Sequence, residues 1–135
     1  ALRCCLDTTG VGTLVIGGKG PEEPRLRALA GELGIEKQVL FAGYIPRERL
    51  GSYFAACDLF AFHSTFETFG LVVAQAMSYG RAVVTVRNTA LPEVVGDGGL
   101  LVETGDWRGL GDAMHGHMNI YSCDWFCKGA GRAWA

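Results

Sequence analysis

Short apolar runs alternate with segments of helical spacing along this chain. Thr13-Leu14-Val15-Ile16-Gly17 and Gln38-Val39-Leu40-Phe41-Ala42-Gly43 are apolar runs closed by glycine, and each predicts a buried strand. Between them, Leu26, Leu29, Ala30 and Leu33 recur at helical spacing, with Pro21 and Pro24 near the start and Gly34 at the end. Pro46 to Cys57 predicts a second helix, with Leu50, Tyr53, Phe54 and Cys57 on one face. Asp58 to Phe62 predicts a strand, Leu71 to Met77 a helix ending at Gly80, and the β-branched Ala82-Val83-Val84-Thr85-Val86 another strand. Leu91 to Val95 predicts a short helical turn, Gly96 to Gly99 a tight turn, and Leu100-Leu101-Val102 the last strand. Asp106 to about Met118 carries Trp107, Leu110, Ala113 and Met114 on one side and predicts a final, weaker helix. Strands alternating with helices of this length predict an α/β fold with a doubly wound parallel sheet.

The unit around residues 58–86 is strand, polar loop, helix, strand. Open α/β sheets bind ligands at the carboxyl ends of their strands, so the loop His63 to Phe69 is the first place to look for chemistry. Glu67 stands in that loop, and Phe69-Gly70 opens the helix, where unpaired backbone N–H groups favour an anion. A carboxylate beside such a helix start suits a ligand with both hydroxyls and phosphate. Gln75 is the one strongly polar residue between Gly70 and Ser78.

With 135 residues, the chain fits one domain, divided here into residues 1–118 and an aperiodic tail, 119–135, holding Tyr121, Trp125, Phe126 and Trp134. A net charge of −2 gives no electrostatic reason to expect nucleic acid as a partner. No apolar run reaches about 18 residues, so no transmembrane helix is expected. Ala1 to Asp7 shows no signal-peptide pattern and no initiator Met, which suggests a processed chain or a fragment. Cys4, Cys5 and Cys57 read as reduced, packing cysteines, which points to a reducing compartment.

The stretch Glu67-x-Phe69-Gly70-x4-Gln75 resembles the signature of the GT-B glycosyltransferases of family 4, in which two glutamates eight positions apart flank a Phe-Gly pair. The second glutamate is Gln75 here. Gly17-Gly18-Lys19-Gly20-Pro21, Phe41 to Ile45 and Leu91 to Val95 fall in the family's order, and the similarity runs from about Leu14 to Asp112. The resemblance implies one Rossmann-like half of a GT-B fold, the C-terminal donor-binding half of a retaining hexosyltransferase. It implies a nucleotide diphosphate sugar as donor substrate, no cofactor and no essential metal, with an acceptor that stays unidentified. Carried over residue by residue, Glu67 is the catalytic-site carboxylate that holds the sugar. Phe69, Gly70 and Leu71 lie at the diphosphate, Gln75 at the ribose, and Gly43, Tyr44 and Ile45 at the base. Gly18 and Lys19 border the donor cleft. The family's acceptor-binding domain, and the strand–helix unit bearing its diphosphate-binding Arg and Lys, have no counterpart before Leu14. The expected location is cytoplasmic, with the full-length protein peripheral to a membrane.

Each of these residues has a plainer alternative. Ser64-x-x-Glu67 matches a helix capping box. Gln75 could face solvent, Phe69-Gly70 could start a helix that binds nothing, and Lys19 could be solvated. Gly17 to Gly20 is not a P-loop, because the Gly-Lys-Ser/Thr ending is missing. His115, His117, Cys123 and Cys127 fit no structural zinc spacing. His63 reads as structural, and Ser64 lacks a His–Asp partner for a hydrolase triad. The rival function is a non-catalytic α/β module or inactive fragment, and a third option is a GT-B epimerase or phosphorylase.

Overall fold

The computed structural model describes residues 12–119, with side chains to residue 116. The predicted alternation is present. Strand β1 (Leu14–Gly17) leads to α1 (Glu23–Glu32), a 3-10 turn (Glu36–Gln38), β2 (Val39–Gly43) and α2 (Arg47–Ala56). Then come β3 (Leu59–Phe62), α3 (Leu71–Ser78), β4 (Ala82–Val86), α4 (Leu91–Val95), β5 (Leu100–Val102) and α5 (Trp107–Asn119). The expectations for Cys4, Cys5, Cys123, Cys127 and the tail aromatics lie outside the described residues.

All strand pairings are parallel. They form two sheets, β1-β2 and β3-β4-β5, where one continuous sheet was expected. Each pairing within a sheet joins strands connected by a single crossover. The crossover α2 carries the chain from β2 to β3 without making them ladder neighbours. Its Phe54 is buried in the second sheet's core, edge-on to Phe60 with ring centroids 5.4 Å apart.

That core consists of Phe54, Val73, Ala76, Val83, Val86, Leu91 and Val95. Every residue of β4 is buried, as expected of a central parallel strand covered on both faces. Thr85 is polar yet fully buried, and its hydroxyl donates to the Phe62 carbonyl at 2.7 Å. Thr85 therefore leaves no unsatisfied donor in the core. Gly99 lets the turn before β5 pass close to β4: a Cβ there would lie 2.8 Å from the Val83 carbonyl oxygen.

The first sheet is less covered. Val15 and Leu40 are register partners, so they share a face, and they are 42% and 56% exposed. Leu26, Leu29 and Leu33 of the α1 region are exposed as well, whereas Ala30 and Ile35 are buried. Most of the buried apolar side chains among the described residues belong to the second sheet and the helices packed on it.

Cys57 caps α2 as a packing residue. Its thiol donates to the Phe54 carbonyl at 3.4 Å, and burial pushes the thiol pKa up, against the opposing effect of Arg81. A half-buried thiol with a raised pKa is a poor nucleophile.

Candidate functional site

Two groups of loop residues follow the carboxyl ends of the strands. The first joins the segments after β1 and β2. The Gly18 N–H donates to the Gly43 carbonyl at 2.7 Å. The Lys19 side chain crosses Gly43, with Cε 3.7 Å from where a Cβ would stand, and Ile45 packs on Gly17. Gly18, Lys19, Gly43 and Ile45 are thus brought together by backbone pairing. Tyr44, between Gly43 and Ile45, is 70% exposed.

The second group is the loop between β3 and α3. Gly70 has φ +64° and N-caps α3, so the helix begins only at Leu71. This late start removes the capping box. The Ser64 hydroxyl donates instead to the Phe66 carbonyl at 2.8 Å. Glu67 Oε1 accepts from the Thr68 N–H at 3.1 Å and from the Phe69 N–H at 3.3 Å. The N–H groups of Gly70, Phe69 and Thr68, with Gly70 the largest influence, hold the Glu67 carboxyl below the ordinary glutamate range. Glu67 is therefore an anion already seated on the donors at the helix start.

Gly70 is buried, while Phe69 and Leu71 beside it are 72% and 68% exposed. Gln75 lies one helical turn beyond Leu71 and is exposed. Its backbone carbonyl accepts from the Ser78 hydroxyl at 2.7 Å. Glu67, Phe69, Gly70 and Leu71 form one cluster, and no strand ladder joins it to the Gly18–Gly43 cluster.

Two contributors escaped the sequence reading. Asn88 Nδ2 donates to the Ser64 carbonyl at 3.3 Å and also to that of Thr65. The Thr89 hydroxyl donates to the Glu67 carbonyl, and the Glu67 N–H donates to Thr89 Oγ1 at 3.3 Å. Asn88-Thr89, one residue past the predicted buried strand, was the available signal, since such loops carry sites. His63 takes the structural part expected of it: its Nε2 accepts the Gly105 N–H at 3.3 Å. Among the described residues no three His, Cys, Asp or Glu side chains are grouped to hold a metal. The His117 side chain, Cys123 and Cys127 lie outside them.

A parallel α/β unit with a carboxylate bonded to main-chain N–H groups in the loop before a helix defines a class, the Rossmann-like α/β domains. Comparison with known proteins narrows it. Residues 9–119 match the family Glycosyl transferases group 1, and the chain belongs to that family. It is 37% identical to O-antigen chain mannosyltransferase B of Escherichia coli, over 78% of this chain and 26% of that protein. It is 41% identical to D-inositol 3-phosphate glycosyltransferase of Corynebacterium jeikeium, over 73% of this chain and 24% of that protein.

Among solved structures, Anabaena Alr3699/HepE in complex with UDP matches with a TM-score of 0.70 and 30% identity, over 80% of this chain and 31% of that one. The C-terminal domain of the group 1 glycosyl transferase LpcC from Francisella tularensis matches with a TM-score of 0.78 and 27% identity, over 95% of this chain and 69% of that one. The chain spans about a quarter of the length of the curated relatives it matches.

Proposed function

We propose that this chain is the donor-binding, C-terminal half of a retaining GT-B hexosyltransferase of family 4, using a nucleotide diphosphate sugar. The observation that carries the reading is the Glu67–Gly70 loop, a carboxylate and a row of main-chain donors at one helix start. In this reading the Glu67 carboxylate accepts hydroxyls of the donor sugar, an arrangement that also supports positive charge on an oxocarbenium-like carbon. The N–H groups of Phe69 and Gly70 take the diphosphate, with Leu71 beside them. Gln75 takes the ribose, and Gly43, Tyr44 and Ile45 take the base, with Gly18 and Lys19 bordering them.

Glu67 itself accepts from Thr68 and Phe69, so diphosphate binding requires the carboxylate to yield the Phe69 N–H to phosphate. The carboxylate, once it has yielded that donor, accepts sugar hydroxyls. No metal or cofactor takes part in this proposal. The proposal includes a cytoplasmic location, peripheral to a membrane when full-length, which rests on the family resemblance. No helix among the described residues is long and apolar enough to cross one.

Transfer needs donor and acceptor held in reacting geometry, a contribution of roughly 7–11 kcal/mol. With the acceptor held by another domain, the 135-residue chain is expected to bind nucleotide diphosphate weakly at best, with no transfer and at most slow donor hydrolysis. The test is titration calorimetry with UDP, GDP and their hexose conjugates, alongside transfer assays with labelled donors and simple glycoside acceptors. Saturable, Glu67-dependent binding without transfer is expected; the absence of any nucleotide binding refutes the reading. One observation favours a weakly binding module instead: Gln75 replaces the expected carboxylate and stands exposed.

A further inference from the structure

We propose that Thr89 is the positioning residue for Glu67, with Asn88 steadying the loop beside it. One hydroxyl holds both backbone groups of Glu67: it donates to the Glu67 carbonyl and accepts the Glu67 N–H at 3.3 Å, across 22 residues of sequence. Asn88 Nδ2 donates to the carbonyls of Ser64 and Thr65, earlier in the same loop. The loop that carries Glu67 is therefore set by the segment after β4 as well as by its own turn.

That segment is anchored at both ends. It is flanked by Val86 and Leu91, both fully buried, and closed by the Asn88 N–H on the Val86 carbonyl and the Leu91 N–H on the Asn88 carbonyl. Within it Thr89 has φ +41°, the left-handed region in a β-branched residue. Such a residue is a genuine outlier, and the conformation persists where the surroundings over-determine it. Here it aims the hydroxyl at the Glu67 peptide groups. A side chain that merely filled space would need neither the conformation nor the hydroxyl.

The positioning role rests on the proposed contact between Glu67 and the donor sugar, and the experiment separates the two. Thr89→Val keeps the shape and the branching and removes the hydroxyl; Thr89→Ser restores it. Each full-length variant is compared with the parent by amide hydrogen exchange over residues 64–69, and by affinity for UDP against UDP-glucose and GDP against GDP-mannose.

Thr89→Val removes both bonds to Glu67; loss of the one on its N–H should speed Glu67 amide exchange about fivefold, and the loosened loop should cut the preference for sugar nucleotide over its diphosphate by a similar factor. Affinity for the bare diphosphate should stay within about twofold, and Thr89→Ser should recover both losses. Unchanged exchange in Thr89→Val overturns the brace. Faster exchange with equal weakening of diphosphate and sugar nucleotide, or a Thr89→Ser protein that behaves like Thr89→Val, overturns the positioning role. A parent protein that binds none of the four nucleotides overturns the donor reading and the positioning role together, while exchange still reports the brace on its own.

Discussion

Gly70 is the joint between the Glu67 loop and α3, and replacing it with alanine tests how tightly that joint is built. Two costs add. At φ +64° an L side chain pays for the left-handed conformation, about 1–2 kcal/mol. The added Cβ also stands 3.0 Å from Leu91 Cδ2, and Leu91 is fully buried in the core. The leucine has to give by a few tenths of an ångström, which in a packed interior adds about 1 kcal/mol. The expected loss is therefore about 2–3 kcal/mol, a fall in Tm of very roughly 10 °C for a domain of this size. Gly80→Ala is the control. Gly80 has φ +68°, and nothing lies within 4 Å of a Cβ placed there. It should lose the conformational part alone. Urea unfolding of both variants, with m-values checked for constancy, reads the difference. A Gly70→Ala protein no less stable than Gly80→Ala would refute the packing argument. Equal stability of both variants and the parent would refute the conformational one.

Gly99→Ala should destabilise by more than about 2 kcal/mol, since its Cβ meets the Val83 carbonyl oxygen of the central strand at 2.8 Å, and backbone cannot rotate aside; thermal melting checks it. Because the Glu67 carboxyl is held below its ordinary range, its contribution to stability is present above the unfolded-state pKa and fades as pH falls through the lower folded-state value. Glu67→Gln should remove that part of the acid dependence and weaken sugar nucleotide more than bare diphosphate; paired melts at neutral and acid pH, with titrations, read both, and a purely thermal effect would remove Glu67 from the donor contact. Gln75→Glu should tighten nucleotide diphosphate binding by a modest factor, because a carboxylate accepts ribose hydroxyls more strongly. Equal calorimetric affinities would leave Gln75 as a solvent-facing residue.

The elements were legible wherever apolar periodicity was strong. Ala82 to Val86 reads as a strand buried on both faces, and it is one. Phe54 and Leu50 fall on one face of a helix, and both join the core. The Glu67 loop was legible as a place between a strand and a helix. Its internal bonding was not, because Ser64-x-x-Glu67 forms a capping box only if the helix starts early. The left-handed Gly70 delays that start, and glycine at a position does not announce the sign of φ. Thr89 was invisible for the opposite reason: β-branched residues avoid the conformation it adopts, so propensity argues against it. The division into two sheets was also hidden, since local patterning says that a strand is parallel and buried but not which strand lies beside it.

The thin cover over β1 and β2 has a consequence for how this protein opens. With Val15, Leu40 and the α1 leucines exposed, the β1–α1–β2 unit has less apolar area to lose on opening than the unit built on β4. It should be a separate cooperative unit of low local stability, whose amides exchange while those of Val83 to Val86 stay protected. The Gly18–Gly43 bond and the Lys19 crossing belong to that unit. Any ligand gripping them would bind the closed form alone and raise the unit's stability in proportion to RT ln(1 + [L]/Kd). Nucleotide binding would then be measurable as slowed exchange in β1 and β2 before it registered in global melting, and its apparent affinity would include the free energy of closing that unit.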